Sequence, residues 1–277
     1  MRLGGQVFIA DKNPESWSQA LIAAGFRATT CPVNRDEELP QLQDYVREAE
    51  KLDIIISEVG AWSNPISKDE TEKQSAIAHC ITRLQLAEEI GARCCVNIAG
   101  SRGTKWDGPH PDNFSDETFE LIVDTARQII DDVNPSRTVF ALEMMPWIFP
   151  DSADSYLQLI EAIDRPAFGV HFDPVNIICS PRTYYRNGDL IRDFIHRLGP
   201  YIRNCHAKDV LLQDKLTAHF DEVIPGQGML DYVVFLKELN KLHPDTPLII
   251  EHLHTNEEYA QAAGFIRSVA SRLGISL

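Results

Sequence analysis

The feature that most constrains this chain is a regular alternation of strand-like and helix-like segments, repeated eight times along 277 residues. The strand-like segments are the apolar runs 4–10, 27–32, 53–59, 93–99, 138–144, 168–173, 202–207 and 247–253. Between them apolar residues recur at three- and four-residue spacing, as in 71–90 and 116–130, which is typical of amphipathic helices. Eight such units without a linker rich in Pro, Gly or Ser predict one α/β domain over residues 1–277, a (β/α)8 TIM barrel.

Local signals at the segment ends agree with this fold. Asn13, Ser115 and Thr255 each stand ahead of acidic residues, the pattern of a helix N-cap followed by a first turn. An open doubly wound sheet is the rival fold, and it normally shows a glycine-rich phosphate turn after its first strand. No such turn follows Phe8-Ile9-Ala10, so the barrel is preferred.

Four apolar runs in the second half of the chain each carry one metal-binding residue type near their C-terminal end. They are Glu143 in VFALEMMP, Asp173 in FGVHFDPVN, His206 in IRNCHAKD and Glu251 in PLIIEHL. Ionisable side chains are rarely buried unless they are paired or bind a metal. Barrel active sites lie at the C-terminal ends of the strands, where inward side chains of strands five to eight converge. The pattern therefore predicts one shared divalent cation.

The donor set also indicates a type of chemistry. Three carboxylates and one imidazole suit Mn²⁺ first, with Mg²⁺, Co²⁺ or Zn²⁺ as alternatives, rather than a thiolate-rich zinc site. Two free coordination positions could take adjacent oxygens of a hydroxy-ketone and stabilise the enediolate that forms on proton loss. Glu143 and Glu251, on opposite sides of that carbon, could remove a proton and return it. Taken singly, each of the four residues could instead be a hydrated strand end, a turn cap or a core histidine.

The chain also resembles a known superfamily through LEMMP, HFDPVN, CHAKD, PGQGMLDY and IIEHL, which occur in the expected order along nearly its whole length. It is similar to the xylose-isomerase-like barrels, broadly sugar phosphate isomerases and epimerases, and within them to ketose 3-epimerases and inosose dehydratases. The resemblance implies that Glu143, Asp173, His206 and Glu251 hold a divalent ion. It also implies that Glu143 and Glu251 are the acid and base of a metal-dependent sugar isomerase or epimerase.

One position departs from the epimerase pattern. Those enzymes carry a His three residues after the Asp of strand six, and this chain has Asn176, which can hydrogen-bond a substrate but cannot shuttle a proton. The CHAKD segment looks more like the dehydratase and uncharacterised isomerase branches. A metal-dependent lyase that dehydrates a cyclic keto-sugar is therefore the alternative function.

Several further residues are candidates for substrate binding because they lie at or just beyond strand ends. They are Asn176, Lys208, Glu58, Asn97, Trp62 and Trp147. Lys208 could neutralise a substrate oxyanion or form an ion pair, and the two tryptophans could stack on a sugar or pack at the barrel rim. His171 is expected to be a core or supporting histidine. The turn at 225–228, PGQG, could offer N–H groups to an anion, although such sequences more often form tight turns.

The composition limits the kinds of partner and substrate that this chain can bind. The formal net charge of −15 disfavours nucleic acid and anionic membranes, and the sequence shows no signal peptide or membrane-spanning run, so a cytoplasmic protein is expected. The six cysteines lack CxxC spacing and are expected to be free thiols. The loop cations Arg102, Lys105, Arg182 and Arg186 form no dense cluster, so an unphosphorylated small sugar is the expected substrate. A homodimer is one expectation, because symmetric dimers are the commonest assembly.

Two other functions were weighed against these. Apurinic endonucleases share the barrel, but they need a His-rich three-zinc site and a positive surface, and this chain has one clear His ligand and a negative charge. A non-catalytic sugar-binding barrel would keep the pocket and tolerate Glu143→Gln.

Overall fold

The computed structural model describes residues 1–11, 13–33 and 39–277, and its eight parallel strands form a closed barrel. The barrel strands are β1 (Arg2–Gly4), β2 (Ala28–Thr30), β3 (Ile55–Gly60), β4 (Cys94–Asn97), β5 (Phe140–Glu143), β6 (Phe168–Phe172), β7 (Ile202–Ala207) and β10 (Pro247–Ile250). Each strand hydrogen-bonds to its neighbours in chain order, and β10 also pairs with β1. The predicted (β/α)8 barrel is confirmed.

Helices follow the strands in the described part of the chain. They are α1 (Pro14–Ala23), α2 (Leu39–Lys51), α3 (Glu70–Ile90), α4 (Asp116–Val133), α5 (Ala153–Ile163), α6 (Pro181–Tyr185), α7 (Asn187–Leu198), α8 (Tyr232–Leu239) and α9 (Asn256–Leu273). The predicted caps are present, since the side chains of Asn13, Ser115 and Thr255 each accept a first-turn backbone N–H. No helix among these residues combines the length and the apolar character needed to cross a bilayer.

The prediction for the first strand was wrong in its position. The apolar run 4–10 was expected to be a strand, whereas β1 ends at Gly4. The backbone of Phe8 is not paired with a neighbouring strand there, because its N–H and C=O bond to the side-chain amide of Asn256 at 2.9 and 2.7 Å. The apolar side chains after Gly4 line a cavity instead of a barrel wall.

An antiparallel hairpin after β7 was not predicted. It consists of β8 (Asp209–Gln213) and β9 (His219–Val223), with Asp209 opposite Val223. The residues of β9 are mostly exposed and polar, HFDEV, so the sequence gives no apolar alternation from which a strand could be recognised.

The chain divides into two compact units. The first comprises Met1–Ser57, Asp173–Pro200 and Asn204–Leu277, and the second comprises Glu58–Phe172 and Tyr201–Arg203. The second unit has a core around Cys94, Val96, Val139 and Ala141. That residues 1–277 form one domain stays a prediction. All six cysteines are free thiols, as expected, and five of them are buried.

Candidate metal and substrate site

Three of the predicted metal ligands meet in the first unit. Asp173 directly follows β6, His206 lies in β7 and Glu251 directly follows β10. The distance from His206 Nδ1 to Glu251 Oε1 is 2.8 Å, and to Asp173 Oδ2 it is 3.9 Å. Each residue offers one ligand atom, and these atoms lie within 4.8 Å of one another. Asp173 and His206 are fully buried, a setting in which charged groups are normally paired or bound to a metal.

Lys208 supplies a positive charge to this cluster. Its Nζ lies 2.8 Å from Asp173 Oδ2 and 2.7 Å from Glu251 Oε1, and only 3% of the residue is exposed. Burial raises the pKa of Glu251, but the charges of His206 and Lys208 outweigh it and hold that pKa well below its ordinary value. Glu251 is therefore an ionised carboxylate at neutral pH, the form that binds a cation.

The three residues fit a divalent ion. A Mn²⁺ or Mg²⁺ ion approaches each oxygen or imidazole donor to about 2.0–2.3 Å, so donors on opposite sides of one ion lie about 4–4.6 Å apart. The observed separation of the ligand atoms, 4.8 Å or less, falls close to this range. The ammonium of Lys208 shows that the space between the Asp173 and Glu251 carboxylates accepts a positive charge.

Glu222 and His252 extend this charged cluster, and neither was among the predicted site residues. Glu222 lies on β9, with its Oε2 3.6 Å from Lys208 Nζ and its Oε1 3.0 Å from His252 Nδ1. The hydrogen bond to Glu222 raises the pKa of His252, although partial burial opposes it. His252 has a positive φ of 59° directly after Glu251. The position of His252 directly after the predicted ligand Glu251 could have indicated that it lies at the cluster. The position of Glu222 could not have been predicted, because it depends on the hairpin.

The PGQG turn has a structural partner. The carboxylate of Asp209 accepts hydrogen bonds from the backbone N–H groups of Val210, Gly226, Gly228 and Leu230, at 2.8–3.1 Å. Two of the N–H groups that were considered for a substrate anion are therefore bonded within the protein. A Cβ at Gly228 would lie 2.4 Å from Asp209 Oδ1, which explains why the turn carries glycine there.

Glu58, His171 and Glu143 belong to the second unit. Glu58 lies in β3, and its Oε2 is 2.8 Å from Nε2 of His171. Both residues are buried. This contact with Glu58 is consistent with the supporting role expected for His171. Glu143 is the last residue of β5, stands opposite His171 in the sheet register and is 4% exposed.

Asn97 is engaged by the protein backbone. Its Oδ1 accepts from the N–H groups of Ser63 and Ile98, and its Nδ2 donates to the carbonyl of Ser63. The side chain is fully buried and holds the loop after β3 against the end of β4. Its substrate-binding role stays a prediction, and these contacts give it a structural role.

The remaining predicted substrate residues lie on loops after their strands. Trp62 follows β3 and is 45% exposed. Trp147 follows β5, is partly exposed, and its backbone carbonyl accepts a hydrogen bond from Asn113. Asn176 lies in the short 3-10 helix Val175–Ile177 of the first unit and is also partly exposed. Contact of these three side chains with a substrate stays a prediction.

The fold and the cluster together define a class of protein. The chain is an α/β barrel with carboxylate, imidazole and ammonium groups gathered at the C-terminal ends of its strands, where barrel enzymes perform their chemistry. More particularly, it belongs to the xylose isomerase-like TIM barrel family, whose model matches residues 19–269.

Solved structures with this fold include named enzymes. The probable 3-DHS dehydratase AsbF from Bacillus anthracis aligns over 97% of this chain and 99% of its own, with 17% identity and a TM-score of 0.73. D-psicose 3-epimerase from Clostridium cellulolyticum H10 aligns over 100% of both chains, with 14% identity and a TM-score of 0.70.

A third structure was solved with a metal. It is a xylose isomerase-like TIM barrel protein from Mycobacterium smegmatis in complex with magnesium, with coverage of 98% of this chain and 97% of its own, 14% identity and a TM-score of 0.67. At these identities the three structures show a shared fold. A comparison with curated proteins finds no match.

Proposed function

We propose that this protein is a divalent-metal-dependent isomerase or epimerase that acts on a small ketose or keto-sugar. The observation that carries the proposal is the meeting of Asp173, His206 and Glu251 around a space that accepts positive charge. Glu143 would be the fourth ligand, because it ends β5, the strand next to β6 in the barrel order. The epimerase among the structures of similar fold supports the reaction class.

A divalent ion at this site would polarise the substrate carbonyl and stabilise the negative charge that develops on its oxygen. Mn²⁺ is the ion we expect first, with Mg²⁺, Co²⁺ and Zn²⁺ as alternatives, because the donors are mainly hard oxygens. The magnesium named for the Mycobacterium smegmatis protein supports a hard-cation site.

Glu143 and Glu251 would perform the proton transfer. One carboxylate removes the proton from the carbon beside the carbonyl, giving an enediolate, and the other returns a proton to the opposite face. Glu251 is ionised at neutral pH, which a proton acceptor must be. Lys208, whose ammonium lies within 2.7 Å of that carboxylate, would neutralise the oxyanion as it forms.

An unphosphorylated substrate fits the loop cations better than a sugar phosphate. The guanidinium of Arg102 donates to the carbonyl of Ile66, Lys105 pairs with Asp107, and Arg186 pairs with Asp189. Three of the four loop cations are thus engaged within the protein, whereas a phosphate site normally presents several Arg or Lys side chains to the ligand.

Solvent exchange tests the proposal. The Mn²⁺ form, incubated with a panel of free ketohexoses in D₂O, should incorporate deuterium at a carbon beside the carbonyl, as followed by NMR. Glu143→Gln and Glu251→Gln should slow this exchange by about a hundredfold or more. Glu257→Gln, an exposed carboxylate at the start of α9, is the matched control and should exchange like the wild type.

Metal content completes the test. Asp173→Ala and His206→Ala should each lower the bound Mn²⁺ measured after gel filtration, because each removes one donor. A wild-type protein that binds no divalent metal, or that is fully loaded and exchanges no proton of any tested sugar, would contradict the proposal.

Dehydration of a cyclic keto-sugar is the second candidate, and Lys208 favours it. An ammonium that is 3% exposed and lies beside Glu251 could donate a proton to a departing hydroxyl group after the same enediolate forms. The named dehydratase of similar fold supports this alternative. A product lighter by one water, with the absorption of a conjugated carbonyl, would select the lyase.

A further inference from the structure

A cavity of about 350 Å³ opens at the ends of β1 and β2, and its described lining residues are distinct from those of the charged cluster. Its apolar wall is formed by Val7, Phe8, Ile9, Trp17, Val33 and Tyr45. The rings of Trp17 and Tyr45 meet edge to face with centroids 5.2 Å apart, and both residues are buried. None of the twelve described residues that line the cavity carries a charge. The cavity is thus suited to a neutral group with an apolar part.

The cavity is lined by the segment that follows β1, and β1 pairs with β10, the strand that precedes Glu251. β1 and β10 pair with Gly4 opposite Ile249. Gln6, which lines the cavity, is two residues after Gly4, and Glu251 is two residues after Ile249. The segment after β1 is fixed to the start of α9, the helix that follows Glu251, because the amide of Asn256 bonds both the N–H and the C=O of Phe8. Adjacent strands lie about 4.8 Å apart, so a substrate that reacts at Glu251 lies one strand away from the segment that lines the cavity.

We propose that this cavity binds an apolar ring attached to the substrate, so that the substrate is a keto-glycoside with an aromatic aglycone rather than a free sugar. This inference rests on the proposed function and names its substrate class. A cavity of about 150 Å³ with apolar walls can hold a benzene molecule, so this larger one has room for a substituted ring. Phe8 is a large aromatic residue at the cavity with 46% of its surface exposed, which a bound ring would cover.

The polar groups of the cavity fit the same ligand. Gln6, Gln41, Thr29 and Thr30 contribute amide and hydroxyl groups that can bond neutral oxygens of a glycoside. A phosphate or a carboxylate would find no cation among the lining residues that the structure describes. The mixture of aromatic walls and a few neutral polar groups is typical of pockets that bind neutral ring compounds.

Binding measurements without turnover test the inference. The probes are 4-nitrophenyl β-D-glucopyranoside and methyl β-D-glucopyranoside, titrated into the Mn²⁺ form by calorimetry. We expect the aryl glycoside to bind about tenfold more tightly or better, because its ring leaves water. Phe8→Ala should reduce this preference to less than about threefold. Tyr201→Ala removes a partly exposed aromatic ring before β7, at the opposite end of the strand from the site, and should leave the preference unchanged.

The outcomes separate this inference from the proposed function. Equal affinity for the two glycosides, binding of neither, or a preference that survives Phe8→Ala would overturn the aglycone site, whatever the deuterium exchange shows. An aryl preference that depends on Phe8 would support the site even if no ketose exchanged its proton, and in that case the reaction class would be the part that fails.

Discussion

Replacement of Lys208 by Met should destabilise the protein strongly in the absence of metal. The substitution keeps the length of the side chain but removes the ammonium that lies 2.8 Å from Asp173 and 2.7 Å from Glu251. Loss of one partner from a buried ion pair leaves uncompensated charge and typically costs about 3–5 kcal/mol in the free energy of unfolding. That is a large part of the roughly 5–15 kcal/mol that stabilises a typical domain.

The matched control is Lys241→Met. Lys241 also forms an ion pair, with Glu238, but 65% of its side chain is exposed. An exposed pair contributes about 0–1 kcal/mol, so the two variants have similar chemistry and differ in burial. Urea denaturation followed by circular dichroism in EDTA measures both free energies of unfolding.

Added Mn²⁺ makes the experiment sharper. An ion present at about one hundred times its Kd adds about 2.7 kcal/mol to the stability of a protein that binds it only when folded. At one and the same Mn²⁺ concentration, this increment should be larger for Lys208→Met than for the wild type. The reason is that no ammonium beside the carboxylates repels the ion, which lowers its Kd. Equal losses for the Lys208 and Lys241 variants in EDTA, or no added stability with Mn²⁺ in either protein, would refute the reasoning.

Three other predictions concern stability and reactivity. Partial burial raises the pKa of Glu88, but hydrogen bonds from the segment 136–138 lower it to about 2, so Glu88→Gln should cost about 1–2 kcal/mol at pH 7. The difference from the wild type should be full above about pH 4.3 and disappear as the pH falls through 2. The exposed Glu50→Gln variant is the control at pH 7 and should cost less than about 0.5 kcal/mol. Asp209→Asn disturbs four backbone hydrogen bonds, so it should lower the free energy of unfolding measured in urea by about 2–4 kcal/mol. Asp214→Asn, on the exposed hairpin loop, is its control and should lower it by less than about 0.5 kcal/mol. Mass spectrometry after iodoacetamide treatment at pH 8 should find one labelled thiol, Cys179, in the native protein and six in urea.

The fold could be predicted because its signals are local and repeated. Every barrel strand except the first was placed within a few residues of its predicted position, since a strand with buried neighbours must be apolar along its length. The first strand was misplaced because an apolar run also suits the wall of a cavity. The run 4–10 leaves the barrel at Gly4 and packs its side chains around the pocket.

The sequence by itself determined which residues stand at the ends of the strands, and the periodicity of a barrel then predicted that four of them converge, Glu143, Asp173, His206 and Glu251. The last three lie together in one unit, and the place of Glu143 beside them stays a prediction. Tertiary structure alone decided which partners each side chain has. Lys208 is held between two carboxylates, Asn97 is bonded to backbone, and Glu222 arrives on a polar hairpin. The physical reason is distance along the chain: strand positions follow from neighbouring residues, whereas these contacts join segments that only the closed barrel and its loops bring together.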